Sequence, residues 1–313
     1  MPTVSVVIPT YNRAEYILDA IESVLSQTFT DYEITVIDDG SVDATSDVLQ
    51  HLIVEGKIRY VFQENQGVSA ARNYGIRLSE GKYIAFLDSD DLWHPNKLEK
   101  LVDVLDVNSD IALVQHSFCR VNEDGSSLGY RDTSRFSGRV YPAILLDWSV
   151  LIPPSCVVIR AKMLDEVGNF DESMHWGEDI DLWRRVAKHH PIAAVQEVLT
   201  TMRVHSNNAS GAKIQLGTVR SFEYYLTKAF SDDPQLSKRF RRRALAKMYS
   251  NFGHNVLAEG ERDLMKLARQ YSIRSIQQWP FQVSAYLGWL GSFLSTSLRD
   301  RLLAMWRNYR DRR

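Results

Sequence analysis

The first 90 residues alternate strand-like and helix-like segments, and this alternation constrains the fold more than any other feature of the chain. Between the strand-like runs, apolar residues such as Ile17, Ile21 and Val24 recur at helical spacing. Short strands that alternate with helices form a parallel sheet that is covered on both faces. We therefore predict an α/β fold with a Rossmann-like, mostly parallel central sheet flanked by helices. The predicted strands lie at residues 4–8, 33–37, about 58–62 and 83–87, with a helix at about 68–78.

Composition places the chain among ordinary globular proteins. Of its 313 residues, 44% are hydrophobic and 24% are charged, which excludes a collagenous, coiled-coil or largely disordered protein. Two cysteines, Cys119 and Cys156, lack the spacing of a zinc site or a redox motif, so we interpret them as buried thiols. No charged segment with a cleavage site precedes the first predicted strand, and we expect a cytoplasmic protein.

The charge is distributed unevenly along the chain. Residues 238–313 contain 16 Lys and Arg residues but only five Asp and Glu residues, whereas acidic residues predominate in the rest. Such asymmetry indicates two parts with different roles. We predict a catalytic domain over residues 1–215 and a basic, helical region over residues 216–313 that associates with a membrane.

An aromatic and apolar stretch at residues 279–298 distinguishes this C-terminal region. Serine residues interrupt it, so a helix lying in the membrane interface fits better than one that crosses the bilayer. The basic residues on both sides favour an anionic lipid surface, on the inner face of the cytoplasmic membrane. A helical bundle with a solvated basic face is the alternative. We expect no nucleic acid partner, because no binding motif accompanies the charge.

Polar residues follow three of the predicted strands, at the sheet edge where ligands of such folds bind. Pro9 and Tyr11 end the first strand, and Asp38 and Asp39 end the second. The D-x-D sequence at residues 88–90 ends the fourth and offers oxygen ligands for Mg²⁺ or Mn²⁺. The alternative is that these acids only form turns or helix caps. P-loop, dinucleotide-binding, H-E-x-x-H and G-x-S-x-G motifs are absent from the sequence.

Four motifs in a fixed order make the chain similar to glycosyltransferase family 2. They read V-S-V-V-I-P-T-Y-N at residues 4–12, V-I-D-D-G-S at 36–41, N-Q-G-V-S-A-A-R-N at 65–73 and F-L-D-S-D-D at 86–91. The likeness continues through G-N-F-D-E at 168–172 and G-E-D-I-D-L-W-R-R at 177–185, and covers residues 3 to about 210. The resemblance implies the GT-A fold.

The resemblance also implies roles for individual residues. Pro9, Tyr11 and Asp39 would bind the nucleotide, with Tyr11 stacked on the base. Asp88 and Asp90 would hold a divalent metal and the nucleotide sugar. Asp179, in the E-D motif, would act as general base.

Four further residues are candidates. Arg72, in the A-R-N motif, would pair with the diphosphate, although a surface or packing role is the alternative. His205 lies in a segment similar to the R-x-H-x-x-N motif of the family and would complete the metal site, unless it is structural. Trp176 and Glu178 lie where the family places the acceptor.

These assignments predict an inverting, metal-dependent glycosyltransferase. It would move a sugar from a nucleotide-sugar donor, UDP-linked by expectation, to a hydroxyl of a glycan or lipid-linked glycan acceptor in cell-surface polysaccharide biosynthesis. The alternatives are a nucleotidyltransferase, which releases pyrophosphate instead of a nucleoside diphosphate, and a catalytically inactive, nucleotide-binding scaffold at the membrane.

Overall fold

The strand and helix pattern of the N-terminal sequence forms in the structure, a computed structural model that describes residues 1–131, 136–146, 153–205, 216–259, 264–294, 298 and 301. Every residue of the first strand is buried, as expected for a strand covered on both faces. The elements are β1 (Val4–Thr10), α1 (Ile17–Leu25), β2 (Tyr32–Asp38), α2 (Thr45–Val54), β3 (Arg59–Phe62), α3 (Val68–Leu78) and β4 (Tyr83–Phe86).

The second part of the sheet is built from shorter and more irregular pieces. Its elements are β5 (Asp91–Trp93), α4 (Lys97–Val107), β6 (Leu113–Asn122), β7 (Ser127–Arg131), β8 (Val157–Arg160), α5 (Ala161–Val167), α6 (Glu178–His189) and β9 (Ile192–Val204). Within it, α6 begins at the E-D motif itself.

One sheet joins all of these strands in the order β3-β2-β1-β4-β8-β6-β9-β5, with β7 paired to β6. The four strands β3, β2, β1 and β4 are parallel, whereas β8 enters antiparallel between β4 and β6. Strand β9 runs parallel to β6, and β5 pairs with it antiparallel. The α/β class and the helix-flanked sheet are therefore confirmed, with antiparallel strands in the second half.

Close packing of α3 on β1 fixes the geometry of the N-terminal half. Gly75 of α3 lies over Val7, and a β-carbon added at Gly75 would come within 2.3 Å of Val7 Cγ1. On the other helices, buried apolar residues such as Ile21 and Leu101 form one core with the strands. Burying each such side chain contributes roughly 1.5–3 kcal/mol.

The chain divides into two compact units. The first comprises Met1–Ile144 and Ser149–Gly211, and the second comprises Leu145–Trp148 and Ala212–Arg313. The first contains the sheet. Its Cys156 is buried, as predicted, but Cys119 is only half-buried, because it lies on the less covered end of β6.

Within the described residues of the C-terminal unit, four helices have defined bounds: α7 (Leu216–Asp232), α8 (Lys238–Glu259), α9 (Met265–Gln278) and α10 (Val283–Gly291). Ser275 donates a hydrogen bond of 2.6 Å to the carbonyl of Ala246, and the rings of Phe252 and Tyr271 lie 6.3 Å apart, so α8 and α9 pack together. Among the helices in the described ranges, none combines the length and the apolar character needed to cross a bilayer.

Candidate active site

The carboxyl ends of three neighbouring parallel strands bring the predicted site residues to one edge of the sheet. Strand β1 pairs with β2 so that Thr10 lies opposite Asp38, and on its other side it pairs with β4. The amide of Asp39 also donates to the carbonyl of Thr10 at 2.9 Å. The loops after β1, β2 and β4 are therefore neighbours, as the sequence predicts.

Side-chain hydrogen bonds tie the loop after β1 to the loop after β2. The amide of Asn12 donates to Ser41 Oγ, and the amide of Val42 donates to Asn12 Oδ1, both at 2.8 Å. Asn12 has a φ of 51°, which turns the chain sharply after Tyr11. Tyr11 is left 46% exposed, whereas Pro9 is buried within β1. Tyr11 thus presents a ring that a nucleotide base can stack on.

Asp38 and Asp39 have different surroundings although they are adjacent. Asp38 is buried and accepts hydrogen bonds from the Ser41 amide, at 2.7 Å, and from the Tyr60 hydroxyl. It therefore serves the turn.

Asp39 organises the loop that leads into α3. Its carboxylate accepts from Gln63 Nε2 at 2.6 Å, from the Gln66 amide at 2.9 Å and from the Gly67 amide at 2.8 Å. A carboxylate has about four lone-pair positions, so three bonds leave one of them for a ligand. The turn role that the sequence left open for this residue is present, and the predicted nucleotide contact stays a prediction.

Positively charged groups flank both acids of the D-x-D loop. Asp88 Oδ1 lies 2.8 Å from Arg72 Nη2. Asp90 Oδ2 lies 3.1 Å from His205 Nε2 and 3.5 Å from Arg13 Nε. The loop that the sequence assigned to a metal is therefore neutralised by cationic side chains and by an imidazole.

The donors of this loop fit a divalent metal in kind. Two partly exposed carboxylates and an imidazole suit Mg²⁺ or Mn²⁺, and the Asp90 and His205 atoms already lie within hydrogen-bond distance. Within the described ranges, no group of three or more His, Cys, Asp or Glu residues lies close enough to form a metal site. Asp88 forms an ion pair with Arg72. Asp88, Asp90 and His205 would therefore ligate one metal ion together only after this ion pair breaks.

Strand β9 brings His205 to the loop. The antiparallel pairing of Asp91 with Met202 runs the end of β9 back along the D-x-D loop. Arg203 Nε donates to the Asp90 carbonyl at 2.7 Å, and the His205 ring stacks on Tyr16 with centroids 4.5 Å apart. His205 therefore both stacks on an aromatic ring and forms a hydrogen bond with Asp90. Residues 206–208 of the R-x-H-x-x-N segment lie outside the described residues.

Arg72 connects the metal loop to the E-D motif. It is only 4% exposed, and its Nη1 lies 2.9 Å from Glu178 Oε1 while its Nη2 pairs with Asp88. Its guanidinium lies 5.3 Å from the Phe170 ring centroid. The structure therefore places Arg72 between two acids at the predicted diphosphate site, and a direct contact with a diphosphate stays a prediction.

Asp179 has the electrostatic character of a proton acceptor. It lies half-buried in the first turn of α6, where its Oδ1 accepts a hydrogen bond of 2.7 Å from the Ile180 amide. Burial, and then the charge of Glu178, raise the pKa of Asp179 to about 7, against the opposing charge of Arg72. A carboxyl group with a pKa near neutrality is matched to general base catalysis at physiological pH.

The two acids of the E-D motif therefore differ. Glu178 is ion-paired with Arg72, whereas no ion pair of the described residues involves Asp179. Trp176 is half-buried and is followed by Gly177, whose φ of 78° turns the chain into α6. Trp176 and Glu178 thus lie beside Asp179, and their predicted contact with an acceptor stays a prediction.

Sequence reasoning gave Asn73 no role, although it ends the A-R-N motif. Its Nδ2 donates to the Phe170 carbonyl at 2.9 Å and to Glu172 Oε1 at 2.8 Å, and its Oδ1 accepts from the Phe170 amide at 3.0 Å. Asn73 therefore fixes the segment that precedes the E-D motif. Its position directly after Arg72 was the available signal.

A buried cluster behind the D-x-D loop was also missed. The carbonyl of Ser155 accepts hydrogen bonds from Lys97 Nζ at 2.8 Å, Trp93 Nε1 at 2.9 Å and Thr200 Oγ1 at 3.1 Å. The hydroxyl oxygen of Ser155 accepts from the amide of Asp88 at 3.0 Å. The residue that precedes Cys156 and β8 thus contacts the D-x-D loop, and nothing in the sequence indicates this contact.

The sheet and the acidic loops at its carboxyl edge define the architecture of GT-A glycosyltransferases. The chain belongs to glycosyltransferase family 2, because the family model for glycosyl transferase family 2 matches residues 5–168. It is 34% identical over 230 residues to an uncharacterized glycosyltransferase of Rickettsia bellii, a match that covers 72% of this chain and 33% of the relative. The match thus spans about a third of that relative's length.

Other comparisons agree on the family and fold. The chain is 29% identical over 229 residues to a putative teichuronic acid biosynthesis glycosyltransferase, TuaG, of Bacillus subtilis, covering 71% of this chain and 87% of the relative. Its fold is similar to that of S. aureus TarS 1-349 in complex with UDP-GlcNAc, with a TM-score of 0.65, 15% identity and coverage of 92% and 90%. It is also similar to the mannosyltransferase PcManGT of Pyrobaculum calidifontis in complex with GDP-Man and Mn²⁺, with a TM-score of 0.59, 16% identity and coverage of 98% and 80%.

Proposed function

We propose that this glycosyltransferase moves a sugar from a UDP-linked donor to a hydroxyl group of a glycan or lipid-linked glycan during cell-surface polysaccharide biosynthesis, with inversion at the anomeric carbon. The observation that carries the proposal is Asp179 in the first turn of α6, whose pKa of about 7 suits the role of proton acceptor. The TarS complex holds UDP-GlcNAc, which supports the donor, and the description of TuaG supports the acceptor class.

The donor would lie across the carboxyl edge of the sheet. Tyr11 would stack on the base, and the remaining lone pair of Asp39 would accept its N–H group. Pro9 would contribute to the same nucleotide pocket. Asp88, Asp90 and His205 would hold Mg²⁺ or Mn²⁺, in line with the Mn²⁺ of the PcManGT complex. The bound metal supplies positive charge that offsets the charge developing on the departing nucleoside diphosphate.

The acceptor hydroxyl would be activated from the opposite side. Asp179 accepts its proton as the hydroxyl oxygen forms a bond to the anomeric carbon and the bond to the diphosphate breaks. Attack opposite the leaving group inverts the configuration. Glu178 forms an ion pair with Arg72 and is therefore not available as the base. Asp179, with its raised pKa, would take the proton instead.

The C-terminal unit has a helix whose large side chains face outward. Val283 of α10 is 70% exposed and Phe281, two residues before it, is 78% exposed, whereas Ala285 and Gly288 of α10 are buried. Arg269 stacks on Phe293 at 4.0 Å, which places a cation at one end of this apolar face.

We propose that this face lies on an anionic lipid surface at the inner side of the cytoplasmic membrane, bringing the enzyme to a lipid-linked acceptor. Flotation with vesicles containing anionic lipid tests it, and Phe281→Ser with Val283→Ser should weaken the binding severalfold. The matched control is Val54→Ser, at an exposed valine of the N-terminal unit. Equal binding of the double variant, or equal binding to neutral vesicles, would refute this part alone.

The chemical proposal is tested by donor binding and by product analysis. Thermal shift with UDP, GDP and dTDP sugars, with Mn²⁺ or with a chelator, should show stabilisation only when metal and the right nucleotide are both present. Turnover should release a nucleoside diphosphate, whereas release of pyrophosphate would indicate a nucleotidyltransferase.

The matched variants are Asp90→Asn, which should abolish the metal-dependent shift, and Asp103→Asn, an exposed acid of α4 that should retain it. Nucleotide binding without turnover of any acceptor would support the inactive scaffold.

A further inference from the structure

Lys97 is a lysine in an unusual place. It is the first residue of α4 and is completely buried, although lysine is among the residues least often buried without a charged partner. Its Nζ lies 3.3 Å from the centroid of the Trp93 ring and 2.8 Å from the carbonyl oxygen of Ser155. Burial lowers the pKa of Lys97 well below its ordinary value, while the charges of Cys156 and Asp91 act in the opposite direction.

A buried amino group with this cost in desolvation needs a structural or functional reason. The carboxyl group whose charge acts on it is that of Asp91, which directly follows the D-x-D loop of Asp88 and Asp90. The proposed function assigns the donor and its metal to that loop. No carboxylate forms a direct ion pair with Lys97 among the described residues; its hydrogen bond goes to a backbone carbonyl instead. The amino group of Lys97 therefore contributes to holding the backbone of Ser155 in position.

Ser155 transmits that position to the loop. Its carbonyl accepts hydrogen bonds from Lys97, Trp93 and Thr200. The peptide group therefore has little freedom to rotate. Its hydroxyl oxygen, on the same residue, accepts from the Asp88 amide at 3.0 Å. One residue thus joins the buried amino group to the backbone of the first D-x-D acid.

The other end of the loop is held as well. The Asp91 amide donates to the Asp88 carbonyl at 3.0 Å, closing a turn, and Asp91 then begins β5 with Trp93 as its last residue. Trp93 contributes both the ring that covers Lys97 Nζ and an N–H bond to Ser155. The two ends of the turn therefore meet at the same residue, Asp88 at the hydroxyl of Ser155 and Trp93 at its carbonyl.

We propose that Lys97 is a positioning residue for the D-x-D loop: its buried amino group fixes the Ser155 carbonyl, and through the Ser155 hydroxyl it sets the backbone of Asp88 for metal and nucleotide binding. The proposal rests on the proposed function, because it requires that this loop bind the metal with the donor. Lys97 does not touch the ligand, so its loss acts on affinity through geometry.

The experiment measures Mn²⁺-dependent UDP affinity by calorimetry, which needs no acceptor and no turnover. Lys97→Met keeps the length and apolar stem of the side chain and removes its donor. We expect the UDP affinity at fixed Mn²⁺ to fall about tenfold, which corresponds to ~1.4 kcal/mol. Ser155→Ala removes the acceptor of the Asp88 amide and should give a loss of similar size.

Because both substitutions break one path, the double variant should lose little more than either single variant. The matched control is Lys100→Met, one turn along α4, where Lys100 is partly exposed and pairs with Glu197. It should bind UDP and Mn²⁺ as the wild type does. Thr200→Val, which removes another donor to the Ser155 carbonyl, keeps the test decisive if Lys97→Met does not fold, and should weaken binding severalfold.

Two results would overturn the proposal. One is a Lys97→Met or Thr200→Val protein with a lower melting temperature but unchanged Mn²⁺-dependent UDP affinity, since a purely structural lysine behaves in this way. The other is full additivity of Lys97→Met and Ser155→Ala. Absence of Mn²⁺-dependent nucleotide binding in the wild-type protein would instead sink the proposed function, together with this inference.

Discussion

Replacing Glu178 should shift the pH dependence of the reaction in a direction that its charge dictates. Asp179 must be deprotonated to act as a base, so kcat/KM should rise with pH through the pKa of about 7. Burial is the first cause of that raised pKa and the charge of Glu178 is the second, while Arg72 opposes both. Glu178→Gln removes the second cause and leaves the first.

The expected size of the shift follows from the values themselves. The pKa of Asp179 rises from 3.8 to about 7, and one charge beside a carboxyl group accounts for roughly one unit of such a rise. The acid limb of Glu178→Gln should therefore lie near pH 6. At pH 6 about a tenth of the wild-type protein carries ionised Asp179, compared with about half of the variant. Relative to its own plateau, the variant should be about fivefold more active at this pH.

The assay is release of nucleoside diphosphate between pH 5 and 9, analysed as kcat/KM for the nucleotide sugar, which reports the free enzyme. Arg72→Met removes the opposing cation and should move the limb above pH 7, opposite to Glu178→Gln. Asp165→Asn, at an exposed acid of α5, is the control with the same loss of charge and should leave the limb in place.

Two results would refute the reasoning. The first is a limb that stays near pH 7 in Glu178→Gln, because the pKa of Asp179 would then not depend on its neighbour. The second is a limb that survives in Asp179→Asn, which should instead lose activity by about 10²–10⁴-fold.

Three predictions concern stability, measured by urea unfolding. Asp179 binds its proton more tightly in the folded state, so the wild-type protein loses stability as the pH rises from about 4 to 7. Asp179→Asn should therefore be more stable than the wild type by about 1–3 kcal/mol at pH 8, but not at pH 4. An equal change in the free energy of unfolding at both pH values would contradict this. Asn73→Ala leaves the Phe170 amide without its buried acceptor and should cost about 1–3 kcal/mol, whereas Asn108→Ala, at an exposed position, should cost less. Gly75→Ala should cost about 1–3 kcal/mol, because its β-carbon would come within 2.3 Å of Val7, and an unchanged urea midpoint would show that α3 moves away freely.

The helices and strands of the first 90 residues were predictable because their apolar period is local. A run such as residues 4–8 matches a short buried strand, and Gly67, with a φ of 92°, marks the start of α3. The loop acids follow from the same pattern, since the carboxyl ends of parallel strands must lie at one edge. For these reasons the positions of Tyr11, Asp39 and Asp88 at that edge were expected.

The second half of the sheet was not predictable in this way. Strand β8 pairs with β4 across more than 70 residues of chain, and β9 runs parallel to β6 with irregular register. The local spacing of apolar residues predicts a strand, but it does not indicate which distant strand will pair with it. The pairing of Asp91 with Met202 nevertheless brings His205 to Asp90, so the contact between these two candidate residues depends on it.

The sequence by itself determined which residue types stand at the ends of the strands, and hence the class of chemistry that the edge of the sheet can support. The tertiary structure decided their charge states and partners. Arg72 holds Glu178, 106 residues away, and Asp179 is left with the raised pKa. Lys97 has a surface residue's sequence context but a buried position. Electrostatics and desolvation depend on distances in space, which the order of residues along a chain does not contain.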